Sequence, residues 1–269
     1  MQESRYDVTE HDAEVLKKWA SFIPFDGSSL ICDRRTCPAY QEGQICSSGM
    51  VEKAVLSWGP GFWGKCPYFY GQVESTNRIA QSGLSELLSS CTFDSFQTAK
   101  PYQREMAKTA AAYVDAVGKG AKPWFFIGGQ SGCGKTHICT AICGKLLDAG
   151  IQVKYARWLP EARALKAKAM DGDAFKAAMQ PFAEASVLYL DDLLKTTQGA
   201  APTPADVSIA LEIISQRELA QKPTIISTEW TLNDLLSFDQ SAFSRVHALS
   251  KGYMLIISRD QEKNYRLRV

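Results

Sequence analysis

The sequence predicts an α/β protein whose larger part is a mainly parallel sheet covered by helices on both faces. From about residue 101 onward, short apolar runs alternate with segments of helical periodicity, and a glycine-rich loop joins one such run to a helix. Strands separated by helix-length segments require crossover connections, and crossovers place helices over both faces of a parallel sheet. We therefore expect residues 101–269 to form one such domain.

The individual elements follow from the apolar runs and from the segments between them. Predicted strands are 124–127, 151–155, 187–190, 224–227 and 253–257, and predicted helices are 103–117, 135–149, 158–170 and 207–220. We expect the strand before the glycine-rich loop and the strand 187–190 to be neighbours. A ligand would bind at the carboxyl ends of these strands.

Composition excludes several classes of protein. A formal net charge of +1 with 22% charged residues gives no overall basic character that would demand a nucleic-acid partner. The sequence has neither an apolar run of membrane-spanning length nor the apolar core of a secretion signal, so we expect a cytoplasmic protein with no membrane partner. Eight cysteines in that compartment favour metal ligation or buried thiols over disulfides.

Residues 21–70 differ in composition from the rest of the chain. They are rich in cysteine, glycine and aromatic side chains and show little helical periodicity. Four cysteines there have the spacing C-x4-C-x8-C-x19-C: Cys32, Cys37, Cys46 and Cys66. Four thiolates in a segment without a conventional core favour a tetrahedral structural Zn²⁺. An iron–sulfur cluster or buried free thiols are the alternatives. The predicted organisation is an N-terminal helix plus this four-cysteine metal-binding module at 1–70, a linker at 71–100 and the α/β domain at 101–269.

The glycine-rich loop fits the pattern G-x-x-x-x-G-K-[ST] of a phosphate-binding loop. Its residues are Gly129, Gln130, Ser131, Gly132, Cys133, Gly134, Lys135 and Thr136. Glycines let several backbone N–H groups converge on a phosphate at a helix N-terminus, where the helix dipole also favours negative charge. Lys135 would neutralise β- and γ-phosphate oxygens, and the Thr136 hydroxyl would ligate Mg²⁺. The loop therefore predicts a nucleoside-triphosphate site, with ATP as the nucleotide.

Carboxylates and hydroxyls follow two of the predicted strands. Asp191 and Asp192 end the strand 187–190; Asp191 would hold Mg²⁺, mostly through water, and Asp192 could orient or deprotonate the attacking water. Ser227, Thr228 and Glu229 end the strand 224–227 and could hold the water that faces the γ-phosphate. Plain strand-end turns are the alternative interpretation of both sets.

Two basic features admit a functional and an ordinary interpretation. Arg245 lies on a short helical segment, where its guanidinium could reach the γ-phosphate of a neighbouring subunit or simply face solvent. Arg163, Lys166 and Lys168 lie on the predicted helix 158–170. In an assembled ring they could line a path for single-stranded DNA, and a solvated charged face is the alternative.

Taken together, these motifs resemble the AAA+ ATPases of the replicative-helicase loaders (DnaC/DnaI type), which are close kin of the IstB-type transposition ATPases. The resemblance covers residues 93–269. It is carried by Phe93-Asp94-Ser95-Phe96, the loop 129–136, Leu190-Asp191-Asp192-Leu193, the segment 224–229, Ser244-Arg245-Val246 and Asn264-Tyr265-Arg266-Leu267-Arg268. It implies a P-loop AAA+ (ASCE) parallel-sheet ATPase domain lacking a full helical lid, Arg245 as an arginine finger in trans, and Ser227 or Thr228 as the sensor. Glu229 departs from the asparagine of many family members.

The resemblance also implies a function. An ATPase of this type binds a replicative hexameric helicase and helps place it on single-stranded DNA, self-associates through its ATPase domains, and uses ATP, Mg²⁺ and, in the N-terminal module, Zn²⁺. A transposition-accessory ATPase shares the same core. A small-molecule kinase is a third hypothesis, against which the sequence shows no arginine-rich lid segment. A nucleotide-gated binding protein with negligible turnover is the fourth.

Overall fold

The computed structural model describes strand residues 46–47, 50–56 and 59–65, residue 75, and residues 77–197 and 200–265. The chain divides into two compact units, Met1–Thr76 and Asn77–Val269. The predicted helix at 1–20 and the predicted ligands Cys32, Cys37 and Cys66 lie outside the described residues. Cys46 lies in a described strand, but its side chain does not belong to the described part.

A small antiparallel sheet is the described part of the first unit. It consists of β1 (Cys46–Ser47), β2 (Met50–Leu56) and β3 (Gly59–Lys65), in the order β1-β2-β3. The β2–β3 pairing shifts register between Glu52 and Ala54 and again between Ala54 and Leu56. Composition alone predicted a small module here without specifying these strands.

Five parallel strands form the sheet of the second unit. They are β4 (Trp124–Gly129), β5 (Val153–Arg157), β6 (Val187–Asp191), β7 (Thr224–Thr228) and β8 (Met254–Ile257). Their order is β5-β6-β7-β4-β8, and every neighbouring pair is parallel. The predicted parallel α/β fold is confirmed.

The predicted pairing of the loop strand β4 with the aspartate strand β6 is wrong. Strand β7 lies between them, and its Ile225 is paired with Phe125 on one side and with Tyr189 on the other. Central strands of a parallel sheet are apolar throughout, so their sequences carry little information about lateral order. As a result, the residues at the end of β7 lie between the phosphate loop and the two aspartates.

Helices connect the strands. They are α1 (Ser85–Leu88), α2 (Pro101–Gly118), α3 (Lys135–Asp148), α4 (Trp158–Lys166), α5 (Gly172–Glu184), α6 (Pro204–Leu219), α7 (Leu232–Phe238) and α8 (Gln240–Leu249), with a 3-10 turn at Gln261–Lys263. Proline occupies the first position of α2 and α6, where its missing N–H is not needed. Thr203 and Thr231 begin α6 and α7 with capping boxes.

The predicted helix 158–170 begins at the expected residue as α4 but ends four residues earlier, at Lys166, and a separate helix that was not predicted, α5, follows it. Sequence reasoning missed α5 because Gly172 at its start and Pro181 inside it both disfavour helix. Asp171 compensates at the N-terminus by accepting a hydrogen bond from the Ala174 N–H at 3.0 Å. The buried face of α5 then packs through Met179 and Phe182.

The core consists of two apolar layers, one on each face of the sheet. Within β4, Phe125 and Ile127 join the layer under α2 and α3, whereas Trp124 and Phe126 join the layer under α4 to α8. Successive side chains of a strand point to opposite faces, so one fully buried strand supplies both layers. Strands β4, β6 and β7 are buried along their whole length.

Residues 77–100, which the composition assigned to a polar linker, lie in the second unit. Helical residues 77–82 and α1 precede a segment that reaches the sheet. Leu84 is fully buried and Phe96 nearly so, both in the layer under α2 and α3. Within the described residues, no helix has the length and apolar content needed to cross a bilayer.

Candidate functional site

The loop Gly129–Thr136 connects β4 to α3 at the carboxyl edge of the sheet, as its motif predicted. Gly129 has φ +127°, and a Cβ there would stand 2.1 Å from the Ile257 carbonyl oxygen of the neighbouring strand β8. A side chain at position 129 is therefore excluded. Gly134 has φ +97° and is the N-cap of α3, so the first N–H groups of that helix open toward the loop.

A cavity of about 210 Å³ lies in front of this loop. Its lining residues are Ser131, Gly132, Gly134, Lys135, Thr136, His137, Asp192, Lys195, Glu229 and Tyr265. Lys135 is only 6% exposed, and its ammonium donates hydrogen bonds of 2.8 Å to the carbonyl oxygens of Gly129 and Gln130. The cation is thus held inside its own loop, at the place where a phosphate would bind.

The carboxylate of Asp191 is buried behind this cavity and accepts four hydrogen bonds. Three hydroxyls donate to Asp191 Oδ1: Tyr189 at 2.7 Å, Ser227 at 2.5 Å and Thr136 at 3.3 Å. The Tyr155 hydroxyl donates to Oδ2 at 3.0 Å. Burial, and after it the nearby negative charges, raises the pKa of Tyr189 and of Tyr155, so both phenols remain donors. A buried carboxylate with this many donors has one fixed orientation.

Thr136 and Asp191 fit a magnesium ion. Their hydroxyl and carboxylate oxygens lie 3.3 Å apart at the rim of the phosphate loop. Mg²⁺ prefers oxygen ligands and usually takes only one or two from the protein, completing its shell with water and phosphate oxygens. The sequence prediction had named this pair, and the fold brings the two side chains together.

Asp192 lies on a tight turn immediately after β6 and lines the cavity. The turn contains two non-glycine residues with positive φ, Asp192 at +55° and Leu194 at +58°. Such conformations are strained by roughly 1–3 kcal/mol each and persist where the surroundings enforce them. Here the Asp192 N–H donates to Ser227 Oγ at 3.1 Å, and the ammonium of Lys195 lies 2.9 Å from Asp192 Oδ2.

Ser227, Thr228 and Glu229, which were predicted to hold the water that faces the γ-phosphate, have different surroundings. Ser227 bonds to the Asp191 carboxylate. Thr228 is fully buried and donates to the Leu193 carbonyl at 2.8 Å, so its hydroxyl supports the turn and does not line the cavity. Glu229 does line it, and its Oε1 accepts from Lys195 at 3.1 Å.

Arg245 is not brought to this cavity within the chain. It lies on α8, 38% exposed, and donates to Ser215 Oγ at 3.0 Å while pairing with Glu218 at 3.2 Å on α6. The arginine that sequence reasoning assigned to a neighbour's phosphate is therefore held on the surface by α6. A role in trans remains a proposal about an assembly of several chains.

The sequence profile of the IstB-like ATP binding protein family matches residues 78–242, more than half of the chain. The chain belongs to this family. The match starts in the segment that packs beside α3 and ends within α8, so it contains the phosphate loop and both aspartates. The predicted AAA+ type of ATP-binding domain is thereby established.

Two curated proteins from Bacillus subtilis (strain 168) are similar to this chain. YqaM is 28% identical over 177 residues, which cover 65% of this chain and 53% of YqaM, so the chain spans about half the length of that relative. XkdC, a protein of the phage-like element PBSX, is 26% identical over 205 residues, 73% of each chain.

Among solved structures, the DnaC helicase loader superposes with a TM-score of 0.54 at 21% sequence identity, covering 63% of this chain and 98% of that one. Identity this low establishes a shared fold and no more. The predicted resemblance to replicative-helicase loaders is confirmed at the level of the fold.

The Phe-x-x-Phe motif of this IstB-like chain supports the phosphate loop from outside. Phe96 contacts the ring of His137 edge-on at 5.3 Å between centroids. It also lies close enough to Gly134 that a Cβ there would come within 3.2 Å. The His137 Nε2 atom lies 2.9 Å from the Thr92 carbonyl and 3.1 Å from Ser95 Oγ. The motif thus braces the first turn of α3.

The segment after β8 folds back onto the same loop. The side-chain amide of Gln130 donates to the Asp260 carbonyl at 2.7 Å and accepts from the Asp260 N–H at 2.6 Å. Two residues along the loop, the Gly132 carbonyl accepts from the Tyr265 N–H at 3.0 Å. The Tyr265 hydroxyl in turn accepts from the Gln103 amide.

Several site residues were missed by sequence reasoning: Lys195, Tyr155, Tyr189 and Tyr265. Tyr189 and Tyr155 have the pattern of ordinary strand residues, and only the β5–β6 register, which pairs Tyr155 with Tyr189, shows that both reach Asp191. Lys195 carried an available signal, because a lysine three residues after a strand-end aspartate can fold back onto it. Cys133 also lies in the loop. Burial raises the pKa of its thiol, so the thiol stays protonated.

The predicted zinc ligands Cys32, Cys37 and Cys66 lie outside the described residues, and the side chain of Cys46 does too. Within the described residues, no group of three or more His, Cys, Asp or Glu side chains is arranged to hold a metal ion. The described cysteines, Cys91, Cys133, Cys139 and Cys143, are free thiols. Cys139 and Cys143 lie one helical turn apart on α3 and are fully buried.

Proposed function

We propose that this chain is an ATP-hydrolysing loader of a replicative DNA helicase, in which ATP binding and hydrolysis control assembly and release. One arrangement carries the proposal: Lys135, Thr136 and Asp192 line a single cavity, and Thr136 is bonded to Asp191 behind it. The chain belongs to an ATP-binding family. Nucleotide hydrolysis requires a phosphate loop at a helix N-terminus and a carboxylate pair at a strand end, and the chain has both.

The chemistry divides among four side chains. Lys135 would leave its loop carbonyls and neutralise phosphate oxygens, and Thr136 and Asp191 would hold Mg²⁺ at the rim of the loop. Bound there, Mg²⁺ would offset the charge that develops on the phosphate oxygens. Asp192 lines the cavity and accepts the proton of the attacking water. Arg245 of an adjacent copy supplies a further positive charge, which makes self-association part of the proposal.

Helicase and single-stranded DNA are the proposed partners, and one fold relative is described as the DnaC helicase loader. A basic surface on and after α4 supports the DNA part: Arg163 and Lys168 are exposed. Lys166 contributes less, because its ammonium is bound to Asp206 at 2.6 Å. The likeness of XkdC, a phage-element protein, is compatible with a replication function in a mobile genome.

A transposition-accessory ATPase is the second candidate. The family match itself supports it, since the matched profile is the IstB-like ATP-binding protein of the IS21 type. Both candidates use the same nucleotide site and differ in the partner that the chain holds.

The cysteines at 32, 37, 46 and 66 are proposed to hold a structural Zn²⁺ ion in the N-terminal module. Their spacing is the support for this proposal. A four-thiolate set also suits an iron–sulfur cluster, so metal analysis has to distinguish zinc from iron.

The full-length chain tests these proposals in two measurements. ATP turnover should exceed that of Asp192→Asn by about a hundredfold or more, while the variant still binds ATP. If both proteins turned over ATP only at the background rate, the chain would be a nucleotide-binding protein that does not hydrolyse ATP. In the second measurement, the chain is mixed with a replicative hexameric helicase and circular single-stranded DNA. ATP-dependent deposition of helicase supports the loader, whereas no helicase complex but a stable complex with a transposase supports the second candidate.

A further inference from the structure

The ammonium of Lys195 lies between two carboxylates at the mouth of the phosphate-loop cavity. It is 2.9 Å from Asp192 Oδ2 and 3.1 Å from Glu229 Oε1. Lys195 lines the same cavity as Lys135 and Thr136, yet none of the roles assigned so far uses it. It also lines a second, larger cavity of about 660 Å³ that shares Thr136 and Asp192 with the first.

The backbone that carries Lys195 is fixed. The Leu193 N–H donates to the Ser227 carbonyl at 2.8 Å, and the Leu193 carbonyl accepts from Thr228 Oγ1 at 2.8 Å. The Trp230 indole donates to the Leu194 carbonyl at 3.0 Å. The side chain itself is 35% exposed. A lysine has a flexible four-carbon stem, so its ammonium can move while the turn stays in place.

The charges around the cavity do not favour a triphosphate as they stand. Among the described residues that line it, the cations are Lys135 and Lys195, and the anions are Asp192 and Glu229. Burial alone would lower the pKa of Lys195, but its hydrogen bonds to the two acids outweigh this and raise it, so the ammonium remains charged. In this arrangement Lys195 neutralises the carboxylates that would repel an incoming γ-phosphate.

The geometry points to Lys195 as the residue that distinguishes a nucleoside triphosphate from a diphosphate. Its ammonium exchanges Glu229 and Asp192 for a γ-phosphate oxygen, and Glu229 is the competing partner that holds it back when no γ-phosphate is present. The exchange also frees Asp192 from its cation at the moment when a proton acceptor is required. This inference rests on the nucleotide site of the proposed function and adds a specificity-determining residue to it.

Two substitutions with opposite expected effects test the exchange. Lys195→Met should weaken binding of a slowly hydrolysed ATP analogue with Mg²⁺ roughly tenfold or more, because one hydrogen bond to a charged group is lost, with ADP binding little changed. Glu229→Gln should strengthen binding of the analogue and leave ADP binding little changed, because it removes the competing carboxylate. If the ion pair served only to hold the turn together, both substitutions would weaken binding.

Fluorescence titration of the full-length chain with both nucleotides measures these affinities. The matched control is the exposed Lys119–Asp115 pair at the end of α2, whose ions are 2.7 Å apart. Lys119→Met and Asp115→Asn should leave the ratio of the two affinities at its wild-type value. A wild-type ratio in Lys195→Met, or a weakened analogue in Glu229→Gln, would overturn the inference and leave the ATPase proposal standing. Wild-type protein that binds neither nucleotide would overturn both.

Discussion

Ser227 at the end of β7 donates a hydrogen bond of 2.5 Å to Asp191 at the end of β6, and the same Oγ accepts from the Asp192 N–H at 3.1 Å. One hydroxyl therefore positions both aspartates. This is possible because β7 is the direct neighbour of β6, with Leu190 paired to Ile226 one residue before the two side chains meet.

Ser227→Ala should raise the Mg²⁺ concentration needed for half-maximal ATP turnover about ten- to hundredfold, the usual effect of removing a partner of a metal ligand. Asp191 would keep its bonds from Tyr155 and Tyr189 but lose its shortest one. A Mg²⁺ titration of turnover measures the shift, with Ser244→Ala on the exposed side of α8 as the control. An unchanged Mg²⁺ requirement would show that Ser227 does not support the metal ligand.

Lys135→Ala should weaken ATP binding by about a hundredfold or more, because an ammonium that contacts phosphate makes several charge-assisted hydrogen bonds. Calorimetric titration with ATP measures the loss. Lys145→Ala is the matched control, since Lys145 is an exposed lysine on the same helix. Thermal melting should show that both variants fold. If Lys135→Ala bound ATP with wild-type affinity, the loop would not be part of the ATP-binding site.

Arg245→Ala should lower turnover by about a thousandfold or more if the residue acts as an arginine finger in trans. Mixing this variant with Lys135→Ala should then restore part of the activity, because each protein supplies what the other lacks. A mixture of Arg245→Ala with the double variant Arg245→Ala, Lys135→Ala should stay inactive. No recovery in the first mixture would assign Arg245 to its observed partners, Ser215 and Glu218.

Asp206 links stability to pH. Burial alone would raise its pKa, but hydrogen bonds from Lys166 and Thr203 outweigh this and lower it. A carboxylate whose pKa is lower in the folded chain stabilises fully above its unfolded value, about 3.9, and loses that contribution as the pH falls through the folded value. Asp206→Asn should therefore cost about 1–2 kcal/mol at pH 7 and progressively less below pH about 4.

Urea unfolding at both pH values measures this difference. The control is Asp148→Asn, an exposed carboxylate at the end of α3. An equal cost of the Asp206 substitution at pH 7 and at low pH would show that the Lys166 and Thr203 contacts do not stabilise the charged form.

Metal analysis of the purified chain should find about one Zn²⁺ per chain if the four cysteines form a tetrahedral site. Cys46→Ser should lose that ion, whereas Cys91→Ser, which replaces a free thiol of the second unit, should retain it. Iron with sulfide in place of zinc would support the cluster alternative. Metal-free wild-type protein would leave the four residues as thiols.

The sequence predicted the parallel sheet and the phosphate loop because both depend on local patterns. Strand β4, the loop and α3 are contiguous, so their relative placement is fixed by glycines and by one helix start. Lateral strand order has no such local signature, and the position of β7 between β4 and β6 was therefore predicted wrongly.

The site residues show the same difference between features that are local in sequence and features that depend on strand order and register. Asp191 and Asp192 were found because a pair of carboxylates after an apolar strand is visible in the sequence. The bonds that Tyr155 and Ser227 donate to Asp191 were not predicted, since these two residues come from two other strands and meet it only through register. Helix α5 was missed for the opposite reason, because Gly172 and Pro181 gave a local signal that tertiary packing overrides.

The bonds between the phosphate loop and the segment after β8 join positions that are 130 residues apart in sequence. Opening the loop means breaking the Gln130–Asp260 pair and the Tyr265–Gly132 bond or carrying that whole segment along. We therefore expect that filling the loop with nucleotide also shifts the segment after β8. A reporter dye attached just beyond Tyr265 would sense the filling of the loop, and a bulky fusion at that position would perturb it.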